Sequence, residues 1–178
     1  DTACDIIKHP HSFMKEYEKH LARFRDKKFN FLEIGVGDHE NSISNGAYRM
    51  WLEIFPKAQI VVIDWNSKVL DGMIDDDRLT RRWCDQGDQK SLNAAAKFFE
   101  ERFGSFDIII DDGSHQVPHI AQTFKTFFPL VSDGGIYAIE DLYQFWAKGN
   151  SLNFFCDIID GINYRSSGKG FAGVNTIH

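Results

Sequence analysis

The sequence predicts an α/β fold with a doubly wound, mostly parallel sheet and helices on both faces. Short apolar runs such as AQIVVID (58–64) and FDIIIDD (106–112) are hydrophobic on both sides, as strands buried between two helix layers must be. Between such runs lie segments with apolar residues three and four positions apart, for example 89–103, which is typical of helices with one core face. Alternation of this kind favours right-handed crossovers and therefore a parallel sheet.

The individual elements follow from the same two patterns. Pro118 lies where the first turn of a helix tolerates proline, and the turn residues SDGG (132–135) are expected to end that helix. The predicted strands are 29–35, 58–64, 79–85, 106–112 and 134–141, and the predicted helices are 12–25, 47–55, 89–103, 118–131 and 151–164.

The chain of 178 residues is predicted to form a single α/β domain, 29–178, preceded by an N-terminal helical cap, 1–28. The glycine-rich end RSSGKGFAGVNTIH stops where the sequence pattern predicts the start of a new strand. We therefore expect the last strands of the sheet to be missing from this chain.

Composition excludes several classes of function. The formal net charge is −6 and no basic stripe is present, so we expect no nucleic-acid partner. Three scattered cysteines argue against a disulfide framework or a zinc site, and no apolar run is long enough to cross a membrane. These features favour a cytoplasmic protein and leave its oligomeric state open, a homo-oligomer included. The acidic run DGMIDDDR (71–78) is interpreted as a solvated loop, with a cation site as the alternative.

The end of the first strand carries Glu33, Gly35 and Gly37, where ligands bind in open α/β sheets. Glycines there allow the backbone to approach a ligand closely, although a tight structural turn is an alternative explanation. Position 40 is Glu40, so the phosphate-binding pattern of dinucleotide enzymes is incomplete and the turn is acidic. A cofactor with an adenosine but no phosphate, such as S-adenosylmethionine, fits better, with Glu33 near its cationic amino acid end.

The next two strand ends complete a pocket shaped for a nucleoside. Asp64 is placed to accept hydrogen bonds from ribose hydroxyls, and Trp65 to pack on an adenine. Asp85 and Gln86, at the end of the third strand, have side chains able to read an adenine edge. The alternative is a solvated Asp64 and a Trp65 in the core.

Acidic residues end the fourth and fifth strands: Asp111 and Asp112 on one, Glu140 and Asp141 on the other. Neighbouring strands bring so much like charge together only if a cation neutralises it or pKa values move. Carboxylate oxygens from two strands favour Mg²⁺ over Zn²⁺. Asp111 is assigned to a supporting role or a cofactor contact.

His115, three residues beyond Asp112, is placed to take a proton from a substrate oxygen. It could instead be an ordinary residue at a helix N-terminus, or could pair with His119 in a zinc site. Aromatic residues at Tyr143, Phe145 and Trp146 could form a wall for a glycoside, or belong to the core.

At these positions the sequence resembles the metal-dependent sugar O-methyltransferases of macrolide biosynthesis, the macrocin and mycinamicin type, from about residue 12 to the end. The segments that carry the resemblance are FLEIGVG, WLEIFPKAQIVVIDWN, CDQGDQ, FDIIIDDGSH and FFPLVSDGGIYAIEDLYQFW. It implies a Rossmann-like methyltransferase fold that uses S-adenosylmethionine and Mg²⁺ to methylate a deoxysugar hydroxyl. By position it implies metal ligands at Asp112, Glu140 and Asp141, a general base at His115, and cofactor contacts at Glu33, Gly35, Gly37, Asp64 and Asp85.

The turn after the first strand departs from the family pattern. Relatives have a GASLRMW-like run where this chain reads NGAYRMW, so Ala47 replaces a serine expected near the methionine carboxylate. Ser42 or Ser44 could substitute for it. Two other classes of function stay open: a catechol-type O-methyltransferase, and a non-catalytic domain that keeps the methyltransferase fold. A dehydrogenase is a more distant third.

Overall fold

The computed structural model describes residues 13–37 and 47–142. Within them, five parallel strands form one sheet in the order β3-β2-β1-β4-β5, with helices between the strands. The elements are α1 (Phe13–Leu21), β1 (Asn30–Ile34), α2 (Ala47–Ile54), β2 (Gln59–Asp64), α3 (Ser67–Asp71), β3 (Leu79–Trp83), α4 (Gln89–Phe103), β4 (Phe106–Asp111), α5 (Val117–Phe127) and β5 (Val131–Ile139). In this part of the chain no helix is long and apolar enough to cross a membrane.

Both faces of the sheet are covered, which confirms the predicted fold class. Along β4, Ile108 and Ile110 pack into one core cluster with Trp51 of α2, because alternate side chains of a strand point to opposite faces. Ile109 packs into a second cluster with Phe99 of α4 on the other face. The predicted helix 151–164 lies outside the described residues.

The strand order reverses beside β1. β2 and β3 extend the sheet on one side of β1, and β4 and β5 extend it on the other. In open α/β sheets, the crevice that binds ligands lies beyond the carboxyl ends of the strands at such a reversal, here at the ends of β1 and β4.

The prediction that SDGG ends a helix was wrong. Helix α5 ends at Phe127, a 3₁₀ turn covers Phe128–Leu130, and 132–135 lie inside β5. Pairing with β4 jumps from Phe106↔Val131 to Ile108↔Ile136, so the turn residues form a bulge rather than a helix terminus. Turn residues of this type are compatible with a helix terminus and with a bulge in a strand, and only the strand pairing distinguishes these two structures.

The end of β3 and one short helix also differ from the prediction. β3 ends at Trp83, so Cys84 and Asp85 belong to the following loop. The short helix α3 was not predicted; it begins after Asn66, whose side chain accepts a hydrogen bond from the Lys68 amide at 3.2 Å. Five residues are too few for a periodic signal.

Candidate metal centre

The acidic residues predicted at two strand ends are neighbours in the fold. The ladder between β1, β4 and β5 continues one residue beyond the strands: the Asp112 amide donates to the Ile34 carbonyl and the Glu140 amide to the Asp111 carbonyl, each at 2.9 Å. This backbone pairing places Asp112 and Glu140 side by side at the carboxyl edge of the sheet.

Three potential metal ligands converge at this edge. Three side chains, those of Asp112, His115 and Asp141, each offer one potential ligand atom, and these three atoms lie within 4.8 Å of one another. His115 Nε2 is 3.8 Å from Asp112 Oδ1. His115 and Asp141 also have positive φ angles, 54° and 51°. Non-glycine residues in this region cost about 1–3 kcal/mol each and tend to cluster at functional sites.

Glu140, the third predicted metal ligand, lies beside this group and has a partner from a distant element. Its Oε1 accepts a short hydrogen bond from the Tyr17 hydroxyl of α1, 123 positions away in sequence. Tyr17 was not predicted as a site residue, because nothing local to α1 indicates a contact with the residue that follows β5.

The electrostatics of the group favour a cation. Burial is the largest cause that raises the pKa of Asp112, and the charges of Glu140, Asp141 and Asp111 raise it further. Burial also raises the pKa of Glu140, while the hydrogen bond from Tyr17 opposes that rise. Carboxyl groups in this arrangement bind either protons or a cation, and their oxygen atoms are the ligands that Mg²⁺ prefers.

Glu33, at the end of β1, lies against the same group. It is only 2% exposed, and burial raises its pKa well above the ordinary value. Its Oε1 accepts a hydrogen bond from Trp51 Nε1 at 3.0 Å, whereas its Oε2 is buried without a hydrogen-bond partner. A buried carboxylate oxygen of this kind is costly unless a ligand supplies a donor or a positive charge.

The glycines after β1 have a structural reason. Gly35 has φ 83°, and a Cβ atom there would lie 2.3 Å from the Asp112 carbonyl oxygen. At Gly37 a Cβ would lie 2.9 Å from a methyl group of Val69. The turn after β1 therefore packs directly on the loop that carries Asp112.

Asp64, at the end of β2, is buried rather than solvated. Its Oδ2 accepts a hydrogen bond from the Val36 amide at 3.0 Å, and its Oδ1 accepts one from the Asn66 amide at 2.7 Å. Trp65 does not lie in the core, since it is 71% exposed. Its indole is available to a ligand at the carboxyl edge.

Gln86 joins the loops after β3 and β4. Its Nε2 donates to Asp111 Oδ1 at 2.7 Å, and its Oε1 accepts from the Ser114 amide at 2.9 Å. Asp85 Oδ1 accepts from the Gly87 amide at 2.8 Å. The Gln86 carboxamide thus has two partners inside the protein, a supporting role that the sequence did not predict.

Asp111 is buried at 1% exposure beneath the site, and burial raises its pKa to about 7. Its Oδ2 has no hydrogen-bond partner in the structure. Neither His115 nor His119 supports the alternative of a zinc pair: His115 precedes α5, whereas His119 Nδ1 lies 2.9 Å from Ser114 Oγ. His119 is not in the group of potential metal ligands found among the described residues.

The other predicted acidic stretch is a surface loop. Asp75 pairs with Arg81 at 2.8 Å and Asp76 with Arg78 at 2.9 Å, so two of its carboxylates already have cationic partners. The aromatic residues Tyr143, Phe145 and Trp146, together with Ser42 and Ser44, lie outside the described residues.

No family model matches the sequence. Among curated proteins, the chain is 34% identical over 168 residues to mycinamicin VI 2''-O-methyltransferase of Micromonospora griseorubida. This alignment covers 87% of this chain and 40% of that protein. It is 38% identical to 8-demethyl-8-(2-methoxy-alpha-L-rhamnosyl)-tetracenomycin-C 3'-O-methyltransferase of Streptomyces olivaceus, covering 87% of this chain and 41% of the relative. The chain thus spans about two fifths of the length of these relatives.

The fold also matches solved structures of a methyltransferase. MycE methyltransferase from the mycinamycin biosynthetic pathway, in complex with Mg, SAH and mycinamycin VI, superposes with a TM-score of 0.72 at 34% identity. A second crystal form, with Mg and SAH, gives a TM-score of 0.75 at 32% identity and covers 95% of this chain and 44% of that one. These similarities confirm the resemblance found in the sequence.

Proposed function

Because this chain is a relative of the sugar O-methyltransferases of antibiotic biosynthesis, we propose that it transfers a methyl group from S-adenosylmethionine to a sugar hydroxyl with the help of Mg²⁺. The observation that carries the proposal is the convergence of Asp112, His115 and Asp141, with Glu140 beside them, at the carboxyl edge of the sheet. The acceptor would be a glycoside, as the names of the relatives say of them.

Asp112, Glu140 and Asp141 would hold Mg²⁺ through carboxylate oxygens. Bound Mg²⁺ would supply Lewis-acid stabilisation of negative charge on the acceptor oxygen. The raised pKa of Asp112 supports this assignment, since burial and then the like charge of neighbouring carboxylates raise it, and a bound cation would offset both effects.

His115 would act as the general base. In the transfer, the acceptor oxygen forms a bond to the methyl carbon as the bond from that carbon to sulfur breaks, and S-adenosylhomocysteine leaves. The imidazole takes the hydroxyl proton, and Asp112 Oδ1, 3.8 Å from His115 Nε2, would stabilise the imidazolium that forms. General base catalysis of this kind contributes about 10²- to 10⁴-fold.

The cofactor would occupy the crevice between the β1 and β2 ends and the β4 loop. The unpartnered Oε2 of Glu33 would face its cationic amino acid end, and Trp65 would stack on the adenine. The other residues that we propose to contact the cofactor are Gly35, Gly37, Asp64, Asp85, Gln86 and Asp111. Gln86 would also hold Asp111 in place through its hydrogen bond. Tyr143 and Trp146 would contact the glycoside.

Calorimetric titration with S-adenosylmethionine and then Mg²⁺ tests the proposal on wild type, Asp112→Ala and the control Asp77→Ala. Asp77 is an exposed carboxylate of the surface loop, away from the site. We expect all three proteins to bind the cofactor, and only Asp112→Ala to lose Mg²⁺ binding. Wild type that binds the cofactor but no Mg²⁺ would refute the metal site, and wild type that binds neither would favour a non-catalytic domain.

A further inference from the structure

We propose that Tyr17 of α1 is a positioning residue for the Glu140 carboxylate, and that its hydroxyl is needed for tight binding of a divalent cation. The inference deepens the metal site proposed above and rests on it. It assigns a role in the site to the helix that precedes the sheet, which neither the motifs nor the strand ends indicate.

Tyr17 contacts Glu140 directly. The Tyr17 hydroxyl donates to Glu140 Oε1, which fixes one oxygen of that carboxylate and leaves the other available to a ligand. Partners of this kind orient metal ligands, and their removal typically weakens metal affinity by about 10- to 100-fold. A tyrosine hydroxyl is neutral, so it supports the charged carboxylate without adding a positive charge that would repel the cation.

The Tyr17 ring is itself held in place by aromatic packing. It packs edge-to-face on Trp51, with ring centroids 5.5 Å apart and an interplanar angle of 82°. Trp51 Nε1 in turn donates to Glu33 Oε1 at 3.0 Å. One aromatic pair therefore contacts two acidic side chains of the site, Glu140 and Glu33, from outside the strands that carry them.

The chain segment around Tyr17 is anchored to the sheet. Leu21 and Phe24, just beyond Tyr17, are buried in the first core cluster. Arg23 donates from Nη2 to the Gly134 carbonyl in the bulge of β5 at 2.7 Å. The chain segment that presents the hydroxyl is thus attached to the same strand that leads into Glu140, which keeps the hydroxyl and the carboxylate in register.

Tyr17→Phe tests the inference, because it removes the hydroxyl and keeps the ring on Trp51. Tyr48→Phe is the matched control: the buried Tyr48 hydroxyl accepts hydrogen bonds from Arg49 Nε and the Ile74 amide, at 3.2 and 3.3 Å. Mg²⁺ alone is titrated into each protein by calorimetry, and thermal denaturation with and without Mg²⁺ reports folding separately. We expect Tyr17→Phe to bind Mg²⁺ about 10- to 100-fold more weakly than wild type, and Tyr48→Phe to bind it as wild type does.

The outcomes separate the two proposals. If wild type and Tyr17→Phe bind Mg²⁺ equally, the positioning role is refuted and the metal site stands. If both tyrosine variants lose affinity equally, the effect is one of general stability and the positioning role is again refuted. If wild type binds no Mg²⁺, the metal site itself is refuted, and the inference falls with it.

Discussion

Gly35→Ala should damage the protein far more than alanine at Gly104 or Gly134, two other glycines with a positive φ angle. Gly35, Gly104 and Gly134 have φ angles of 83°, 76° and 71°, so alanine costs about 1–3 kcal/mol at each from backbone strain alone. At Gly104 and Gly134 no atom lies within 4 Å of the added Cβ. At Gly35 the Cβ would lie 2.3 Å from the Asp112 carbonyl oxygen, about 1 Å closer than an ordinary contact.

The neighbouring atoms at Gly35 are backbone atoms and cannot rotate away, so the loop must move. Overpacking of this kind adds about 1–3 kcal/mol, which brings the total to about 2–6 kcal/mol. Because the displaced loop carries Asp112, Mg²⁺ affinity should fall as well. Urea denaturation and Mg²⁺ calorimetry on the three alanine variants measure both effects. Equal stability of all three variants, with unchanged Mg²⁺ binding by Gly35→Ala, would refute the packing argument.

Two further predictions concern Asp111 and Trp65. Burial raises the pKa of Asp111 to about 7 from an ordinary 3.8, so its contribution to the stability of the metal-free protein is present at low pH and is lost as the pH rises through about 7. The Asp111→Asn variant cannot ionise at this position. As the pH rises from about 4 to about 8, the free energy of unfolding of wild type should therefore fall relative to that of the variant, by at most about 4 kcal/mol. Urea denaturation with a chelator checks this, and stability curves that stay parallel over that range would contradict it. Trp65→Ala should lower S-adenosylmethionine affinity about 5- to 150-fold, the equivalent of about 1–3 kcal/mol of stacking, and leave the melting temperature unchanged because the side chain is 71% exposed. Calorimetry measures the affinity, and no loss would exclude the adenine contact.

The layered arrangement of helices and sheet could be predicted from the sequence. The apolar run 106–112 must lie between two helix layers, and Ile108 and Ile109 indeed pack on opposite faces. The bulge in β5 could not be predicted from the sequence, because Gly134 is equally compatible with a helix terminus, a turn and a bulge. Which of these forms depends on pairing with β4, a contact between distant residues.

The same distinction applies to the site. The predicted acids at the ends of β4 and β5 come together because parallel strands end at one edge, a rule that pattern alone supplies. The contacts made by Tyr17 and Gln86 depend instead on how α1 and the β3 loop pack on the finished sheet. No local pattern encodes such contacts.

The contacts between loops have a consequence for engineering. Gln86 holds both Asp111 and the Ser114 amide, and a side chain at Gly113 would meet Gln86 Oε1 at 2.4 Å. The loops after β3 and β4 are therefore energetically coupled, and substitutions in them will not have additive effects. An exchange of these loops should therefore transplant both from a single donor protein, since each packs against the other.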